Sequence, residues 1–226
     1  MKNLLILSAA LASIVAAPRT SLAADPVASA RFVDPEAPEH VEIRSLGERA
    51  IDRLVASLAS EAMLAVQKSG AEVALEVCHL KALPLTGQIM SDLPRITAVK
   101  RTSLRLRSGA NAPDAAELAA LKQVEKSLES GLLPKVLVQQ VDLQDRQTEW
   151  RVYRPVAIAP QCLACHGPPE SLKPELQVRL KTFYPADQAT GYAAGQWRGL
   201  LRVTVAADSP RPAPPASKSS PTTPKK

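Results

Sequence analysis

Val136-Leu-Val-Gln-Gln-Val141, a polar Asp142–Gln147 and Trp150-Arg-Val-Tyr-Arg-Pro-Val-Ala-Ile158 read as two strands joined by a turn. Both runs are rich in β-branched and aromatic residues, and the polar stretch between them has the composition of a tight connection. Working outward, Arg198–Val205 reads as a further strand after a loop punctuated by Gly191 and Gly195. Upstream, Ile96–Leu106 reads as a strand with Thr102, Leu104 and Leu106 on one face. Its other face carries Arg101, Ser103, Arg105 and Arg107, which predicts a solvated side. Asn111-Ala-Pro-Asp114 punctuates the chain and starts a helix through Leu128, with Asp114 or Pro113 near its N-terminus. Farther upstream, Ile51, Leu54, Val55, Leu58, Ala62 and Val66 recur at helical spacing within 39–69. Gly70 interrupts that helix, and a second is expected from Ala71 to Leu83, stopped by Pro84. Helices followed by interspersed strands with short links predict one α+β domain on an antiparallel sheet.

The ends read differently. Met1-Lys2-Asn3, an apolar Leu4–Ala17 and the small residues of Ser21-Leu22-Ala23 have the layout of a secretory signal peptide over 1–24. Pro18-Arg19 cuts the apolar run short of the ~20 residues a membrane span needs. The mature chain is therefore expected to begin near Ala24 or Asp25, periplasmic or otherwise exported, without stable membrane insertion. At the other end, 209–226 holds prolines 210, 212, 214, 215, 221 and 224 among Ser, Thr, Lys and Ala, which predicts a solvated basic tail.

The formal charge of +6 comes from these ends. Removing Lys2, Arg19, Arg211, Lys218, Lys225 and Lys226 from 28 basic residues leaves 22 in 25–208, against 22 acidic ones. A neutral domain lacks the surplus that a nucleic-acid groove requires, so that class of partner is not expected.

The chemistry is concentrated just past the hairpin, in Cys162-Leu-Ala-Cys165-His166. This is the spacing of covalent c-type haem attachment. Two thiols separated by two residues can each add to one porphyrin vinyl group, and the next residue places its imidazole under the iron. A structural zinc site would need two more ligands at similar spacing, and no second cysteine pair exists. A thioredoxin-like dithiol would open a helix after a strand, whereas Pro160 precedes this motif and Gly167-Pro168-Pro169 follows it. Covalent c-type attachment is also made outside the cytoplasm, in agreement with export. One haem c is the expected cofactor. Six of the seven aromatics fall between 150 and 197, either walling the macrocycle or filling the core under the sheet.

For the opposite side of the iron, Cys78, His79, His40, Met63 and Met90 all carry atoms able to ligate it. On a helical wheel Cys78 falls with the small apolar Ala71, Ala74, Leu75 and Ala82, and His79 falls in the polar sector of Glu72 and Glu76. A buried inert thiol is the alternative for Cys78. In the acid-free stretch from Arg95 to Arg107, Arg101 is the candidate for pairing with a haem propionate.

A set of linked motifs extends this reading. Glu76-Val-Cys78-His-Leu-Lys-Ala82, Val99-Lys-Arg101-Thr-Ser-Leu104, Asn111-Ala-Pro-Asp114, Tyr153-Arg-Pro155, the Cys162–Gly167 motif and Tyr184-Pro-x-Asp187-x-Ala189-x-Gly191-Tyr192-x-x-Gly195-x-x-Arg198-Gly199 occur in that order. Over 45–206 the chain resembles a monohaem c-type family with a PAS-like fold, found in small exported proteins and in sensor input domains. The resemblance implies a PAS-like sheet with an N-terminal helical extension. It also implies iron ligation by His166 and by Cys78. The chain departs from the family pattern at Arg107-Ser108-Gly109, which puts that loop's contacts in question.

Three functions are compatible with these residues. Single-electron transfer by an exported monohaem cytochrome, with a redox partner protein, is the favoured one. The alternative is a haem-based redox or small-ligand sensor; without a kinase, cyclase or receptor segment after 206, it would act through a separate partner. An enzyme with an open haem face is disfavoured by an occupied sixth position, and no hydrolytic constellation is present.

Overall fold

The computed structural model describes residues 26–207, with the backbone alone for 59, 62 and 76–85. The expected signal peptide and basic tail lie outside the described residues. So do the side chains of Cys78 and His79.

The domain is α+β, built on a five-stranded antiparallel sheet, as the strand pattern predicts. In chain order the strands are β1 (Val27–Val33), β2 (Ile96–Thr102), β3 (Leu137–Leu143), β4 (Thr148–Ala157) and β5 (Trp197–Ala206), arranged β1-β3-β4-β5-β2. The hairpin β3–β4 pairs Asp142 with Thr148 and Leu137 with Tyr153, and its turn holds Arg146 at a φ of 67°. β1 was not apparent from the sequence. It is an edge strand with most side chains exposed, so it lacks the apolar alternation that betrays a half-buried strand.

Two long helices form the N-terminal extension, α1 (Pro38–Ser69) and α2 (Ala71–Asp92). Gly70 separates them at a φ of 88°, a conformation that favours glycine. The expected stop at Pro84 is not observed: α2 continues to Asp92. Proline removes one backbone donor, but Ile89 beyond it is buried in the main core and Met90 packs against that core. Tertiary burial outweighs the local penalty.

α1 covers one face of the sheet through Ile43, Ala50, Ile51 and Leu54, packed with Val138, Val152, Leu201, Val203 and Val205. The approach is close at Gly47. A Cβ there would lie 2.8 Å from Val152 Cγ1 and nearer still to Cβ and Cγ2. Gly47→Ala is therefore expected to cost about 1–3 kcal/mol through overpacking. An unchanged urea midpoint would contradict this contact.

The other face is covered by α3 (Ala115–Glu129), whose Ala120, Leu121 and Val124 pack with Tyr153 and Leu200. Asp114 caps α3 in a reciprocal capping box with Glu117. The fully buried Glu117 also pairs with Lys100 at 2.6 Å and Arg202 at 2.8 Å. Burial alone would raise the Asp114 carboxyl, but the Glu117 backbone N–H and the Arg151 guanidinium outweigh it and hold the pKa below 3.8. The unfolded chain thus binds this proton more readily. The contribution of Asp114 to stability is full above about pH 4 and is lost as pH falls further. Asp114→Asn should flatten the acid limb of a stability–pH profile, while an unchanged limb would show that other carboxylates dominate it.

Candidate functional site

Past β4 the chain makes a 3-10 turn at Pro160–Cys162 and a single helical turn, α4 (Leu163–His166). Cys162 and Cys165, three apart on this turn, lie on the same side of it, and neither is in a disulfide. Gly167 ends the turn, with its N–H donating to Leu163 O at 2.9 Å. The motif is a tight loop fixed at both ends rather than the start of a long helix.

The turn opens on a cavity of about 510 Å³ between the sheet and the helices. This is within the roughly 300–1,000 Å³ of sites that hold cofactors. Cys162, Cys165 and His166 form one wall. Leu54, Val55, Leu58, Met63 and Val66 of α1 and Ala74 and Leu75 of α2 line it elsewhere. Val156 of β4, Arg101 of β2 and Leu201 of β5 line its sheet side. The lining is largely apolar, and its cations are at the sheet edge. A second helix not apparent from the sequence, α5 (Pro174–Phe183), supports the motif. Its Leu176 and Leu180, with Leu172, pack against Ala71, Leu75 and Cys165.

His166 is oriented from behind. Its Nδ1 lies 2.6 Å from Ala189 O, and a carbonyl only accepts, so Nδ1 carries the hydrogen. The lone pair is thereby on Nε2. Burial, followed by the nearby Arg107 charge, pushes the His166 pKa down to about 3, and the ring is neutral near pH 7. Tyr192 packs edge-on against it at 6.2 Å. The segment 187–192 also runs along the motif through backbone bonds from Gly191 N to Gly167 O and from Tyr192 N to His166 O, at 2.7 and 2.9 Å.

Past Thr102 the arginines do not continue a strand face. β2 ends at Thr102, and the chain then wraps the site. Arg105 donates to Gln188 O at 3.0 Å and to Thr190 O, with its guanidinium 4.2 Å from the Tyr192 ring centre. Arg107 pairs with Asp187 at 3.1 Å. The strand is shorter than its alternation predicts because Arg105 and Arg107 have partners in 187–190. Arg101 lines the cavity and is exposed. Arg198, beside it, donates to the neutral Ser103 Oγ and Arg105 O at 2.7 and 2.9 Å. Burial, with Arg107 and Arg101 alongside, holds the Arg198 guanidinium below its usual range. Sequence reasoning assigned no role to Arg107, Asp187, Ala189 or Arg198, although all but Arg107 lie in or next to the Tyr184–Gly199 motif.

Of the candidates for the opposite side, His40 packs against Trp150 at 5.3 Å and Met90 lies against the main core. Met63 lines the cavity. Cys78 lies on α2 one turn beyond Ala74 and Leu75, its side chain outside the described residues. The aromatics divide: Tyr184 lines the cavity and Tyr192 flanks His166, while Tyr153 and Trp197 belong to the core beneath α3. Among the described residues, no cluster of three His, Cys, Asp or Glu could hold a metal ion, and no helix is long and apolar enough to cross a membrane.

An α+β domain with a Cys-x-x-Cys-His turn facing a cavity at the sheet's end defines the class that the linked motifs resemble. The chain belongs to the Tll0287-like family, whose model matches residues 44–206. A solved structure, that of the cyanobacterial heme-protein Tll0287, is 19% identical with a TM-score of 0.48, the match covering 78% of this chain and 98% of that one. No curated protein matches the chain.

Proposed function

We propose that this is an exported monohaem c-type cytochrome that exchanges single electrons with a redox partner protein. The observation carrying the haem reading is the donor set. Two thiols and an imidazole with its lone pair on Nε2 share one wall of a cavity of cofactor size. Cys162 and Cys165 would hold the porphyrin covalently, and His166 would ligate its iron. The apolar α1 residues fit the macrocycle. Arg101 and Arg198, which among the described residues have no carboxylate in their hydrogen bonds, suit the propionates. We assign the second ligand to Cys78, and a bound haem then supplies exchange between ferric and ferrous iron.

Electron transfer is favoured by where the motif lies. Gln161 and Ala164 are exposed, so an edge of the group would be near the surface and within reach of a partner. With His166 and Cys78 both holding the iron, a diatomic ligand would find no ready place. The test is to expose the reduced protein to carbon monoxide while following one-electron exchange with a small redox dye. Inertness to the gas with fast exchange is expected. Rapid gas binding would mean an open position and a ligand-sensing role.

A further inference from the structure

The carbonyl that orients His166 has a second donor. Arg107 donates through one Nη to Cys165 O at 2.6 Å and to Ala189 O at 3.3 Å, and through Nε to Asp187 Oδ2 at 3.1 Å. The other oxygen of Asp187 accepts the Ala189 backbone N–H at 2.7 Å. Ala189, the residue whose carbonyl holds Nδ1, is thus pinned at its amide by Asp187 and at its carbonyl by Arg107. The two side chains are only 13% and 9% exposed. Charge-assisted bonds are strong in such a partly dry setting.

We propose that Arg107, braced by Asp187, is the positioning residue for His166, fixing the Ala189 carbonyl and setting how strongly the imidazole donates to haem iron. The inference rests on the haem reading above. Its first element is geometric. One planar fork reaches the motif backbone, the 187–192 segment and the carboxylate together, which a lysine point charge cannot do. Its second element is electronic. A carbonyl shared with a cation is a poorer acceptor, so the Nδ1 hydrogen is less polarised and the ring donates less to the metal. Removing Arg107 should strengthen that donation and favour ferric iron.

The experiment uses the haem-loaded full chain and reads both the midpoint potential and the spin-resonance g-values of the ferric protein. Arg107→Gln is expected to move the ferric/ferrous equilibrium about tenfold toward ferric, a one-electron shift of about 59 mV. Its g-values should change as well. Arg107→Lys, which keeps the charge and loses the fork, should change the g-values with a smaller shift in potential. Asp187→Asn opens the clamp from the other side and serves if the arginine variants do not fold. It should change the g-values, while the loss of a negative rather than a positive charge moves the potential in the opposite direction. Wild-type g-values in haem-loaded Arg107→Lys or Asp187→Asn would overturn the positioning role and leave only a charge effect. A wild-type chain that holds no haem would instead overturn the underlying haem reading, and this one with it.

Discussion

Cys162→Ser/Cys165→Ser made in the full chain is expected to abolish haem that survives denaturation, from one per chain to none. The two thiols sit three residues apart on one short turn, at the wall of the cavity. Thioether bonds through them would keep the porphyrin on the chain when the fold is lost. The cavity itself can still bind haem reversibly through its apolar lining and His166, so a native spectrum alone would not separate the cases. A haem-stained denaturing gel does separate them. Signal of wild-type strength in the double variant would show that the sulfurs do not hold the porphyrin.

Cys78→Ser has the second large effect. A thiolate stabilises ferric iron, so the wild-type potential is expected to be negative and the variant's higher. The shift should be on the order of a hundredfold in the ferric/ferrous equilibrium, about 120 mV at 59 mV per tenfold for one electron. Optical and spin-resonance spectra should change with it. Met63 makes the comparison decisive, because it also lines the cavity and carries a thioether. Met63→Leu should leave both readouts unchanged. The opposite pattern, a silent Cys78→Ser and a shifted Met63→Leu, would move the ligand from α2 to α1.

The parts of this fold legible in the sequence were those where one local rule met no opposition. The β3–β4 hairpin follows from two β-rich runs around a polar turn, and α3 follows from Asp114 at its cap. That Cys162, Cys165 and His166 come together on one cavity wall was legible because a five-residue motif is local. Pro84 misled because a local breaker was overruled by burial at Ile89, which no local rule records. β1 was hidden because an exposed edge strand carries no alternation. The role of Arg107 could not be read at all. Its partners are Cys165, Asp187 and Ala189, 58, 80 and 82 residues away, and only the fold brings them to the back of His166. The same distance explains why a run of arginines looked like a solvated face.

If this chain carries one haem through its own sulfurs, the added mass stays with it when the fold is lost. Intact mass spectrometry of the full chain, expressed from Met1 in a host that attaches c-type haem and then unfolded in acid, decides this. The expected result is a chain heavier by one haem, with the added mass on the peptide containing Cys162 and Cys165. An unmodified chain with both thiols open to alkylation would contradict it.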